Sequence, residues 1–183
     1  MMVPIILFRV FTFVALTLIL HVSDGLFKYK NIKCKCYETS FCEFTTCELK
    51  ILGRGIVGLN MHVQMKQPPI TRIKAQVTTF RRFSGYRPFL YNVTVDFCGF
   101  MKNPKRFPFF FMVHEAIRKF SNFNHSCPYN HDISINRMVL TDEMISRIPV
   151  PSGYYKLLIR MASEGIWRGE VEAYLEVNVG YDR

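Results

Sequence analysis

Six cysteines, at positions 34, 36, 42, 47, 98 and 127, lie downstream of an apolar leader and constrain this chain more than any other feature. An even cysteine count behind such a leader reads as a disulfide framework rather than a metal site, because the secretory route is oxidising. The leader is the run from Val10 to Leu20, long enough for a signal-peptide core and too short to span a bilayer. Arg9 and the amino terminus supply its positive flank, and Ser23 and Gly25 supply small residues where a signal peptidase reads. Cleavage is expected after Gly25, giving a signal peptide over 1–25, one domain over 26–183 and a secreted, extracellular protein. A membrane anchor is the alternative. Asn92-Val-Thr94 and Asn124-His-Ser126 are glycosylation acceptor tripeptides and agree with the same route.

A domain of this length buries roughly two thirds of its unfolded surface, enough for a core or for a cavity inside one. The net charge of +10 points to anionic lipid headgroups, acidic glycans or cell surfaces, or simply to solubility. Nucleic acid is not expected as a partner, since no aromatic and basic recognition motif is present.

Alternation sets the strands. An opening strand from Phe27 leads into a cysteine-stapled turn, in which Cys34 and Cys36 are each expected to pair outward rather than with each other. Leu59, Met61, Val63 and Met65 alternate after a bend marked by Gly53 and Gly55. Ile73, Ala75, Val77 and Thr79 form one face of the next strand, and Phe89, Tyr91, Val93, Val95 and Phe97 the inner face of the one after. Ile133 to Leu140 is a further strand. Thr141 is a candidate N-cap for a short turn, and Pro149 to Gly153 reads as a rigid connector. Two long strands, Tyr154 to Met161 and Trp167 to Val179, close the chain, with Val171, Ala173, Leu175, Val177 and Val179 on one face. After Cys98 and before the Ile133 strand, residues 109, 112, 113, 116, 117 and 120 follow the helical period behind Pro108, with His114, Glu115, Arg118 and Lys119 on the polar side and Glu115 set to pair with Lys119. Many short strands and one substantial helix predict a mainly β, two-sheet antiparallel sandwich of immunoglobulin-like type with an inserted amphipathic helix.

Motifs for chemistry are weak. Gly53-Arg54-Gly55 lacks the spacing of a phosphate loop, and the position four after His114 is Arg118, so no metalloprotease helix begins there. His125, His131 and Asp132 lie close together and could hold a metal or act catalytically, but turn support around a disulfide is the simpler reading. No nucleophile elbow or paired-carboxylate motif appears; Ser84, in Phe-Ser-Gly, lacks the preceding glycine and Asp96 suits a strand edge or turn. The chain is expected to be neither an enzyme nor a metal or cofactor protein.

GYRPFLYNVTVDFC, SNFNHSCPYNHD and IPVPSGYYKL, in this order, resemble an insect-specific group of secreted proteins placed with the ML lipid-recognition domains; NIKC, Phe41, Phe44 and CELK fit the same pattern. The resemblance covers essentially the whole mature chain and extends to ganglioside-activator-like chemosensory proteins. It implies a β-sandwich that holds a lipid between its sheets, acting as a carrier or a co-receptor subunit. Cys34, Cys47, Cys98 and Cys127 match the family's cysteines, whereas Cys36 and Cys42 depart from it. The pairing this implies is Cys34 with Cys47, Cys98 with Cys127, and an extra bridge between Cys36 and Cys42.

The expected function is binding of a small apolar ligand (a lipid, fatty acid or hydrocarbon) in a cavity lined by Phe89, Tyr91, Phe97, Phe109, Met112, Val113, Ile117, Phe120 and Trp167. Arg81, Arg82, Arg87, Lys102, Lys105 and Arg106 would meet an anionic headgroup or membrane surface if they ring its opening. The helix, enclosed by a Cys98–Cys127 bridge, would cover the mouth. A filled aromatic core in a monomeric interaction module for a cell-surface receptor is the alternative.

Overall fold

The computed structural model describes residues 27–145 and 150–179. The leader, its cleavage point and Pro149 of the connector lie outside the described residues. Eight strands form: β1 (Phe27–Cys36), β2 (Cys42–Gly53), β3 (Ile56–Met65), β4 (Ile73–Arg82), β5 (Tyr86–Asp96), β6 (Ile133–Val139), β7 (Gly153–Ser163) and β8 (Ile166–Val177). They build two sheets, ordered β1-β8-β7-β4-β5 and β2-β3-β6, with every named pair antiparallel. The chain is a mainly β, two-sheet sandwich. The inner stripes are the predicted ones: Leu59, Met61 and Val63 of β3 pack in one core with Ala75 and Val77 of β4 and Ala173 of β8.

The two sheets are stapled at one side. Residues two apart on a strand share a face, so Cys34 and Cys36 of β1 both reach β2, bonding Cys47 and Cys42 respectively. Gly169 of β8 lies beside this staple, and a Cβ there would approach the Lys35 carbonyl oxygen to 2.8 Å. At the far end of β2, Gly55 takes a positive φ of 73° and closes a tight hairpin to β3.

The segment between β5 and β6 holds more helix than its pattern predicts. Phe97 does not end the strand but begins α1 (Phe97–Lys102), because the Asp96 carboxylate accepts from Gly99 N–H at 3.2 Å and caps that turn. A 3-10 turn (Pro104–Arg106) follows, where the sequence reads as a basic loop, then α2 (Pro108–Arg118), with Pro108 at its first turn. Glu115 pairs with Arg118 at 2.8 Å rather than with Lys119. A short α3 (Asp142–Ile145) starts after Thr141, whose carbonyl accepts from Met144 N–H.

Cys98 of α1 bonds Cys127 in the loop after α2, so the bridge encloses α2. At its start α2 leans on the five-stranded sheet, where Phe109 stacks on Tyr91 of β5 at 3.8 Å. Just past its end Ser121 bridges to Ile135 and the Phe120 carbonyl accepts from Asn136 N–H, both on β6 of the other sheet. The helix therefore joins the two sheets on the side opposite the β1–β2 staple.

Candidate functional site: an apolar cavity between the sheets

Side chains on the inner faces of central strands should be fully buried when two sheets pack tightly, because interiors reach crystal-like density. Here Leu157, Ile159 and Met161 of β7 and Val171 and Leu175 of β8 are only half-buried, although β8 and β7 have neighbours on both sides. The space left over is a cavity of about 320 Å³ lined by both sheets and by α2. That volume is within the usual range for small-molecule pockets, roughly 300–1,000 Å³.

The cavity is closed at the end where β1 finishes and β4 begins. Phe41, Ile70, Ile73, Tyr129, Ala162 and Ser163 line it there and all are buried. At the opposite end Phe27, Leu140, Met144, Val150 and Leu175 line it and are half-buried, so access is from that side. α2 forms part of the wall, contributing Phe109, Phe110, Met112, Val113, Ala116 and Ile117.

Of the residues expected to line a cavity, Phe97, Phe109, Met112, Val113 and Ile117 do so. Phe89, Tyr91, Phe120 and Trp167 do not. Tyr91 is covered by Phe109, and Phe89 packs against Tyr155 at 6.0 Å and under the Arg81 guanidinium at 5.5 Å. Phe120 is spent where the chain leaves α2 to meet β6. Trp167 is turned outward by an irregularity in the β7–β8 ladder: Met161 pairs with Gly169 but Ala162 with Trp167, so Arg168 is an extra residue and the alternation inverts before it. Trp167 then lies under Arg160 at 4.5 Å, and Arg168 sits over Phe41 at 4.2 Å.

The basic residues do not form one ring. Arg81, Arg82 and Arg87 flank the β4–β5 turn, whereas Lys102, Lys105 and Arg106 lie beyond the other end of β5. The 11 residues of β5 separate the groups by roughly 30 Å at strand rise. Only the first group shares the cavity's open end. Arg81 is also engaged, donating to the Ser152 carbonyl at 3.0 Å, and Arg82 lies over Tyr154 at 5.9 Å.

The polar residues of the loop after α2 support turns. Asp132 accepts from Met65 N–H at 2.8 Å, Asn122 donates to the Asp132 carbonyl at 2.7 Å, and Nε2 of His125 lies 2.9 Å from Nε2 of His131. Asn92 and Asn124 are both exposed; Asn92 stands on the outer face of β5, where its Oδ1 accepts from Gln76 and Thr78.

Among the cavity residues not foreseen, one comes from the face of a helix that periodicity assigns to solvent. His114 falls on the polar side of α2 by periodicity, yet it is 6% exposed and lines the cavity, because α1 packs Phe97 and Phe100 against that side of the helix. No local signal separates this from an exposed helical histidine. Burial lowers its pKa, outweighing its contact with the Phe123 carbonyl. Burial likewise pushes the Tyr29 hydroxyl of the cavity wall well above its ordinary value.

These features define a disulfide-stapled β-sandwich with an apolar internal cavity. A family model described as "Protein of unknown function (DUF1091)" matches residues 75–157, from β4 through α2 into β7. A search of the curated proteins finds no match. No helix among the described residues is long and apolar enough to cross a membrane.

Proposed function

We propose that this chain is a secreted, non-enzymatic binder of a small apolar ligand (a lipid, fatty acid or hydrocarbon) held between its two sheets, in the manner of ML-like sandwiches, and that it serves as a carrier or chemosensory accessory. The observation that carries the reading is the incomplete burial of the central strands' inner faces around an apolar cavity. Each methylene placed there gains about 0.8 kcal/mol, so an alkyl chain binds without catalysis. The three disulfides suit an oxidising compartment. Phenylnaphthylamine brightens in apolar surroundings, and the oxidised, delipidated protein is expected to bind it saturably, one per chain, and to release it to dodecane. Absence of saturable uptake, with only a tightly packed empty protein in native mass spectrometry, sinks the reading.

The end where the cavity opens also carries the β2–β3 and β4–β5 hairpin tips. Ile51 is 79% and Phe83 57% exposed there, among Lys50, Arg54, Arg82 and Arg87. Apolar tips with basic flanks suit an anionic membrane surface as the place of loading. Co-sedimentation with phosphatidylserine vesicles is expected to exceed that with phosphatidylcholine, to weaken with salt, and to fall in Ile51→Asp and Phe83→Asp. Saturable cell-surface binding that survives both delipidation and these substitutions would instead favour a receptor accessory.

A further inference from the structure

The loop that carries Cys127 brings two histidine rings head to head, with Nε2 of His125 2.9 Å from Nε2 of His131. Each ring's Nδ1 faces a backbone carbonyl at 2.7 Å, that of Ser126 for His125 and that of Asp132 for His131. Carbonyls only accept, so each Nδ1 carries its ring's proton and each Nε2 keeps a bare lone pair. The Asn122 amide, 3.2 Å from His131 Nδ1, is spent on the Asp132 carbonyl at 2.7 Å. Two lone pairs at this distance repel, and a cation between them makes the contact favourable. The pair is also held in place. His125 stacks on the buried Tyr129 at 4.3 Å, the Tyr129 hydroxyl donates to the His125 carbonyl, and Tyr129 exchanges both backbone hydrogen bonds with Ile70. Both histidines are half-buried, in a loop whose Ser126, Pro128 and Asn130 face solvent.

We infer that Nε2 of His125 and Nε2 of His131 together bind a copper(II) ion, a site separate from the apolar cavity and independent of what the cavity holds. A ring that ligates a metal through one nitrogen donates its other N–H to a carbonyl or carboxylate, which fixes the tautomer, and both rings here do so. A shared proton would instead create an imidazolium, and the neighbouring Asp132 carboxylate is not turned to hold one: Oδ1 accepts from Met65 N–H and Oδ2 lies 3.6 Å from His62 Nε2. The spacing selects the metal. At an imidazole–metal distance of about 2.0 Å, nitrogens 2.9 Å apart subtend roughly 90° at the ion. That is the cis angle of tetragonal copper(II), whereas a tetrahedral zinc ion sets its nitrogens roughly 3.3 Å apart. Copper(II) also stands at the top of the divalent affinity order. No cysteine is free to reduce it. Among the described residues no third histidine, cysteine or carboxylate joins the pair, so water completes the shell.

The test is titration of the oxidised, metal-stripped protein with copper(II) chloride and, in parallel, zinc chloride. One copper(II) per chain is expected, held at least about tenfold more tightly than zinc. Its electron paramagnetic resonance spectrum should be tetragonal and split by two imidazole nitrogens. His125→Gln and His131→Gln are each expected to weaken copper at least about tenfold, since even a ligand's hydrogen-bond partner is worth that much. His125→Gln keeps the Asn124-x-Ser126 acceptor tripeptide, so a glycan there does not confound the comparison. His62→Gln serves as the control and should bind copper as the unmodified protein does. Copper held equally by folded His125→Gln and His131→Gln, a spectrum without two imidazole nitrogens, or zinc held more tightly than copper overturns the site. No copper uptake, with ring-nitrogen NMR showing one proton shared between the rings, overturns it in favour of that proton.

Discussion

Replacing Ala173 with phenylalanine is expected to weaken apolar-ligand binding at least about tenfold while changing stability by less than about 1 kcal/mol. Ala173 sits mid-strand on the inner face of β8, opposite Leu157 of β7 and Ile32 of β1, and lines the cavity. A ring added there occupies space a ligand needs. In a tightly packed core the same substitution forces side chains off their rotamers and costs about 1–3 kcal/mol; in a void the ring gains contacts that nothing supplied before. Urea unfolding and dye titration of one protein sample therefore separate a cavity from a filled core. Tyr174→Phe, on the outer face of the same strand, serves as the control and is expected to leave binding unchanged. Strong destabilisation by Ala173→Phe with unaltered dye binding would contradict the cavity.

Removing the Cys98–Cys127 bridge should cost the most stability of the three. It closes a sequence separation of 29, against 13 for Cys34–Cys47 and 6 for Cys36–Cys42. On chain entropy the longest loop contributes about 3 to 4 kcal/mol and the shortest about 2 kcal/mol. The paired change Cys98→Ser with Cys127→Ser is thus expected to lower the melting temperature by about 10 °C. It should also weaken dye binding, since the bridge is the covalent tie across α2, which supplies part of the cavity wall. Cys36→Ser with Cys42→Ser should do less on both counts. Calorimetry of the two double variants under identical buffer decides the order, and a larger loss from the shorter loop would show that native-state contacts, not loop closure, set these contributions.

Much of the scaffold was legible before any coordinates. β3, β4 and β8 show their inner faces as alternating runs, and α2 shows its apolar period from Phe109 to Ile117 behind Pro108. Both signals are local, arising from the two-residue repeat of a strand and the 3.6-residue repeat of a helix. The failures share a cause. Trp167 has the parity of an inner residue until one extra residue in β8 inverts it, and His114 has the period of a surface residue until α1 covers it. A ladder irregularity and the docking of a second helix are decided by partners distant in sequence, which periodicity does not encode.

The cysteine frame shows the same division. By itself the sequence determined that there are six cysteines, that four of them crowd the first turn, and which strands and which helix run between them. The tertiary structure decided that two bridges staple β1 of one sheet to β2 of the other while the third ties α1 to the loop after α2, leaving the sheets parted over a cavity with a histidine in its wall. Strand and helix preferences act over a few residues, whereas the gap between two sheets is a sum over side chains drawn from the whole chain, and only their assembled volumes determine whether it closes.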